Sequence, residues 1–271
     1  MSSRNIILVV GGVVVVVLAI VIIVVLSQRG RSGGSVTQVA DEAQTFDTTP
    51  TPRPAPTSTA AARLLASAIP AGAAKPAAKE EIYHGCPAEG DGTDPELNRL
   101  KNRIDEPAPP APVAFPALET LAWPVGVNKK HMPSWAAADR AAISTYNGIG
   151  VSIEAFLIRV QDEGPESNNC HKTAPDEVDY HLWIVGQTAD DRDKGIVIEM
   201  NPRLRATHAA WTLANLRQLS QQRTHVRITG WIMLDPEHPD QVGKTRGTIW
   251  EIHPVTKVEV DKGGQWQVLD K

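Results

Sequence analysis

Ile6 to Leu26 reads IILVVGGVVVVVLAIVIIVVL, with neither a charge nor a proline. In lipid such a segment has one structure open to it. A single span must satisfy its own backbone hydrogen bonds, and only a helix does so. At about 1.5 Å of rise per residue it crosses roughly the 30 Å hydrocarbon core of a bilayer. A buried core helix is shorter and keeps a polar stripe, whereas this run is apolar all round. A cleaved signal peptide has an apolar region of about 7–15 residues ending at a small-residue cleavage site. Here Ser27-Gln28-Arg29-Gly30-Arg31 follows instead. The run is therefore read as a retained single-pass anchor. Residues 1–5 form a short tail, and the lipid bilayer is the partner of residues 6–26.

Flanking charge scarcely sets the direction, with Arg4 and the α-amine on one side and Arg29 and Arg31 on the other. The tether and the cysteines set it. Residues 27–80 are rich in Pro, Ala, Thr and Ser, as in TTPTPRPAPTSTAAA, the composition of a stalk outside the cell. Such a stretch lacks the apolar content to bury a core, so disorder is expected, with a short helix over Ala60–Ala68. The chain has two cysteines, Cys86 and Cys170. A disulfide is favoured over free thiols, and free thiols over a metal site, because no Cys-x-x-Cys or His-x-x-x-His is present. An unstrained bond closing a loop of about 85 residues is worth about 4 kcal/mol in the chain-entropy model. Together these place the N-terminus in the cytoplasm and the C-terminal domain outside the cell membrane.

Residues 81–147 read as a helical and proline-rich extension. Asp94 is a good N-cap with Pro95 at the first helical position, and Leu97, Leu100 and Ile104 make an apolar stripe. Pro107 to Pro116 holds five prolines and is expected to be an extended strap. Ser134 is the expected cap of a second helix that ends at Asn147-Gly148.

From Gly148 the apolar period changes from about 3.6 to 2. Strands are expected at Ile149–Leu157, Asp179–Val185, Gly195–Met200, His225–Leu234 and Thr248–Val260, with a helix from Thr207 to about Gln222 and a short extension at Trp266–Leu269. The order strand, strand, strand, helix, strand, strand resembles the OB-fold, a five-stranded partly open barrel with a helix between its third and fourth strands. The resemblance covers about residues 148–269 and rests on element order alone. The expected fold is thus mainly β with α: a five-stranded OB-like barrel over residues 148–271, N-terminal helices, and one transmembrane helix before them.

The resemblance directs ligands to the second and third strands and to two loops. The first, Gln161–Val178, is acidic, with Asp162, Glu163, Glu166, Asp176 and Glu177 against Lys172. The second, Asp235–Gly247, is mixed. Formal net charge is -4, and nucleic-acid grooves are positive, so no nucleic-acid partner is expected. A glycan, a peptide or an envelope protein fits such a surface better. Seven Trp against three Phe and three Tyr supply candidate stacking platforms beside their usual core role.

The candidate ligand-binding residues are His181 and Trp183 on one strand face, His253 and Glu251 on another, and His171 and His238 in the loops. The ordinary role of a strand histidine is structural. Glu154, Glu199, Arg227 and Glu251 are expected to form a cross-strand ion network. The chain contains no phosphate-binding glycine loop and no His-Glu-x-x-His, which weighs against an enzyme. No metal set and no cofactor is assigned. The expectation is an extracytoplasmic binding or interaction module. The alternatives are a metal-dependent or nuclease-like hydrolase using His181 and His253, and a structural scaffold in an envelope assembly.

Overall fold

A computed structural model describes residues 59–68, 80–127 and 134–270. The tail, the apolar run 6–26 and most of the 27–80 stretch lie outside the described residues. Among the described residues, no helix is long and apolar enough to cross a membrane.

Five strands close a barrel: β2 (Gly150–Asp162), β3 (Tyr180–Val185), β4 (Ile196–Met200), β5 (His225–Leu234) and β6 (Trp250–Asp261), while β1 (Ala111–Val113) and β7 (Trp266–Val268) attach at its edges. β2, β3 and β4 form an antiparallel meander, β4 meets β6 in parallel at Ile198 and Ile252, and β6 is antiparallel to β5. Closure comes from β2, whose first half pairs with β5 from Gly150↔Trp231 to Phe156↔His225. Its second half turns to β3 through an irregularity between Leu157 and Arg159. Such irregularities bend a strand and let a small sheet curl shut. Gly230 marks a bend in β5, since a Cβ there would collide with the Pro254 carbonyl and Ile252.

Alternation built this barrel. Val151, Ile153, Ala155 and Leu157 of β2 point inward with Leu182 and Ile184 of β3, Ile196 and Ile198 of β4, and Ile252 and Val258 of β6, all buried in one core. β3 and β4 are buried on both faces. Their outer face meets the loop between β2 and β3 at Glu163 and Asn168 and the loop between β5 and β6 at Thr245, which removes the clean apolar/polar alternation of a solvated sheet.

The helices depart from expectation in instructive ways. α1 (Thr59–Ala68) lies in the stretch read as stalk, and its Leu65 is fully buried in the main core. α2 (Pro95–Lys101) starts as expected, with the Asp94 carboxylate accepting from Leu97 N. The proline strap does not stay extended to Pro116. Ala111–Val113 joins β2 in parallel as β1, and α3 (Phe115–Glu119) then begins with Pro116 in its first turn, where a missing N–H costs nothing. α4 (Ala137–Ser144) starts after Ala136 rather than at Ser134.

The helix expected from Thr207 to about Gln222 starts only at Leu213, and a separate short helix precedes it. α5 (Pro202–Arg205) is capped by Asn201, and Thr207 donates its hydroxyl to Leu204 O rather than capping a helix. α6 (Leu213–Gln221) starts one residue after Thr212, whose hydroxyl accepts from Asn215 N. It sits between β4 and β5 in chain order and packs on β2.

Candidate functional site

Register brings the chemistry together. Ile198 and Ile252 are partners and both point into the barrel. Their neighbours Glu199, Glu251 and His253 must therefore share the outer face. β3 adds His181, directly opposite Glu199 in the antiparallel ladder. Asp179, two residues before His181, falls on the same side at the entry to β3. The result is a buried chain of alternating charge. His181 Nδ1 lies 3.0 Å from Glu163, and its Nε2 lies 2.8 Å from Glu199. His253 Nδ1 stands 3.0 Å from Glu199 and 3.4 Å from Glu251, and its Nε2 is 4.0 Å from Asp179. Arg246 continues the chain, 3.7 Å from Glu251 and 2.5 Å from Asp235, and His238 ends it 2.6 Å from Asp235.

Burial sharpens these charges. It opposes charge on His253, but Glu199, Glu251 and Asp179 outweigh it and push the imidazole up to about 10. His181 follows the same pattern, with burial overcome by Glu199 and Glu163, and is held well above the usual histidine range. Glu199, also buried, is held well below the usual carboxylate range by the two imidazoles. Glu251 goes the other way, since burial and the nearby Glu199 and Asp235 push its carboxyl up to about 7. Asp235 is buried too, yet Arg246 and His238 hold it far below its usual value. Opposed shifts among neighbouring carboxyls are characteristic of sites that handle protons or ions.

Several of these atoms are close to a counter-charge without an aligned hydrogen bond. Glu199 Oε2, Glu251 Oε2, His181 Nε2 and both nitrogens of His253 are buried in this condition, and Asp179 Oδ1 is buried without a partner. Buried polar atoms are ordinarily hydrogen-bonded.

A cover fixes the site from above. Arg203 donates to Asn102 Oδ1 (2.7 Å), to Asn169 Oδ1 (3.2 Å) and to the carbonyls of Cys86 and Pro87 (3.1 and 3.2 Å). Asn102 donates to Ala88 O and Asn168 O, and Asn168 donates 2.7 Å to Asp179 Oδ2. The Cys86–Cys170 disulfide staples the same two segments, with a Cα–Cα distance of 5.8 Å. Lys101, the last residue of α2, reaches Glu166 at 3.0 Å.

Of the residues singled out in the sequence, His181, His253 and Glu251 converge, and His238 joins them through Asp235 and Arg246. Trp183 shares the face of His181, its ring 6.2 Å away, but is only 4% exposed and donates its indole N–H to Thr245 O. His171 stands apart, exposed, 3.4 Å from Asp91. The expected four-residue ion network is split between two faces. Arg227 binds Glu259 through two 2.7 Å contacts and stands 4.0 Å from Glu154, whereas Glu199 and Glu251 belong to the histidine cluster. Asp179, Asp235, Arg203 and Arg246 were not singled out. The spacing Asp179-x-His181 and Glu251-x-His253 was the signal for the first, because period 2 places each pair on one strand face.

On the Arg227 face, an open groove of about 680 Å³ runs between the proline strap and the barrel, lined by Pro107, Pro110, Ser152, Arg227, Thr229 and Lys257 among others.

Fold and site together define a closed five-stranded barrel, compatible with an OB-like order, whose outer face carries a stapled and covered imidazole–carboxylate cluster. Comparison with protein-family profiles, curated proteins and solved structures gave no match for this chain.

Proposed function

We propose that the chain is a membrane-anchored, extracytoplasmic binding module for a glycan, a peptide or an envelope protein. The observation that carries this reading is the Cys86–Cys170 disulfide, which ties the segment after the stalk to the barrel. Disulfides persist in oxidising spaces, and the apolar run with its hydroxyl-rich stalk supplies a route to one. His181 and Trp183 are buried, so contact falls to the exposed groove beside the proline strap. Its prolines and its mixed charges, Arg227, Lys257 and Glu106, suit an extended polar chain.

An alkaline phosphatase reporter fused after Lys271 tests the placement. Activity in intact cells is expected, and a fusion that is expressed but inactive would overturn the reading. The groove is tested with glycan and peptide arrays probed by the full chain and by a Ser152→Trp variant that fills it. Signal for the first and not the second is expected. Equal signal from both would move the contact elsewhere.

One observation favours a second reading, a metal-dependent hydrolase: His181 and His253 share Glu199 between them. General acid–base work needs such imidazole–carboxylate pairs within hydrogen-bond reach.

A further inference from the structure

We propose that Asp179, Glu199 and His253 bind one divalent transition-metal ion of the zinc or manganese class. Each offers one ligand atom, and these atoms lie within 4.8 Å of one another. They come from the entry to β3, from β4 and from β6, three neighbouring strands of one ladder, so the barrel itself sets their spacing. Ligand atoms around zinc sit roughly 2.0–2.2 Å from the ion and so roughly 3.5 Å apart. The set closes on an ion by a side-chain movement of about an ångström.

The orphaned atoms point to the ligand. All three residues are more than nine-tenths buried, with Asp179 0%, Glu199 2% and His253 1% exposed. Asp179 Oδ1 and His253 Nε2 have no hydrogen-bond partner, and Glu199 Oε2 meets only the unaligned Nδ1 of His253 at 3.0 Å, although each is an atom that coordinates metals. A purely structural ion network would spend these atoms on one another. Here the ring of His253 stands close to three carboxylates and is aligned with none.

The surroundings have the character of an outer shell. Asn168 donates to Asp179 Oδ2 and leaves Oδ1 free. Glu251 lies 3.4 Å from His253 Nδ1, where a carboxylate orients a metal-binding imidazole whose other nitrogen takes the ion. One imidazole and two carboxylates suit zinc, manganese or ferrous iron better than the all-oxygen sites of calcium or magnesium. The hydrolase reading needs this site, whereas the site stands without it.

The test uses the full chain in detergent, stripped with a chelator and titrated with zinc, manganese and cobalt(II). One ion per chain is expected by calorimetry, and cobalt(II) should show ligand-field bands of mixed nitrogen and oxygen coordination. Asp179→Asn and His253→Gln should each weaken binding by more than about 100-fold, beyond the 10–100-fold typical of outer-shell partners. The proposal is overturned if the folded wild-type chain takes up no stoichiometric ion. It is also overturned if both variants, folded by circular dichroism, bind as tightly as wild type. Should neither variant fold, the cobalt(II) spectrum of the wild-type chain decides, and absent bands sink the site. A bound ion with no turnover of a chromogenic phosphodiester supports the site and removes the hydrolase reading alone.

Discussion

Arg246 is 2% exposed and is the guanidinium that Asp235 and Glu251 share. Removing one partner of a buried ion pair leaves the other charge without compensation, which costs about 3–5 kcal/mol. Arg246→Met keeps most of the volume and removes the charge. We expect the unfolding free energy of the full chain, from urea titration, to fall by that much, and a change below about 1 kcal/mol would mean water already solvates Asp235. On the groove side, Glu259 gives a pH prediction. Its hydrogen bonds to Arg227 hold the carboxyl below its usual value, against the opposing effect of burial. A carboxyl lowered in the folded state stabilises the fold above its unfolded pKa, and that contribution fades as pH falls through the folded value. The stability difference between wild type and Glu259→Gln should therefore be full near neutral pH and shrink below about pH 4.5. A difference that grows with acid would contradict the assigned sign.

At the scale of elements, the disulfide and the cover act as one device. Cys86 opens the cover and Cys170 lies in the loop between β2 and β3, 84 residues apart in sequence. Cys86→Ser should lower stability by about 4 kcal/mol in the chain-entropy model. It should also raise hydrogen exchange at Ala88 and Asn102 more than in the barrel strands, since Arg203 and Asn168 then hold the cover unaided. Uniform exchange across the chain would show that cover and barrel open together.

What the sequence made legible follows the same division. The order of elements along the chain was readable because β2 alternates and β3 to β6 are short apolar runs, and the Asp94 cap was readable because its bond is local. The cluster was readable in part. His181, His253 and Glu251 stand on alternate strand positions, but their convergence depends on the parallel register Ile198↔Ile252, a non-local pairing that no local pattern encodes. The cover was invisible for a related reason. The helix within residues 81–105 is legible, but the contacts of this segment with Arg203 and Asn168, 66 or more residues away in sequence, are not. His181 and Trp183 are buried as well, His181 between Glu163 and Glu199 and Trp183 against Thr245.

For the whole molecule, the decisive quantity is the free energy of the 6–26 run in lipid, since every statement about ligand and compartment depends on it. The proposed anchor carries no charge to offset, so its insertion would be governed by apolar side chains alone. A lysine at the centre of a membrane helix costs about 2.5–3.5 kcal/mol on the insertion scale. Val15→Lys with Val16→Lys places two such charges near the midpoint, where snorkelling reaches the interface least easily. The double variant should leave the membrane pellet on alkaline extraction, while the wild-type chain stays in it. Its reporter fused after Lys271 should also fall silent outside the cell, because a run that does not insert cannot carry the domain across. The disulfide supplies an independent readout: kept in the cytoplasm, Cys86 and Cys170 should become alkylatable without prior reduction. A double variant that still pellets, still displays its domain and still resists alkylation would show that residues 6–26 are not what holds this barrel at the membrane.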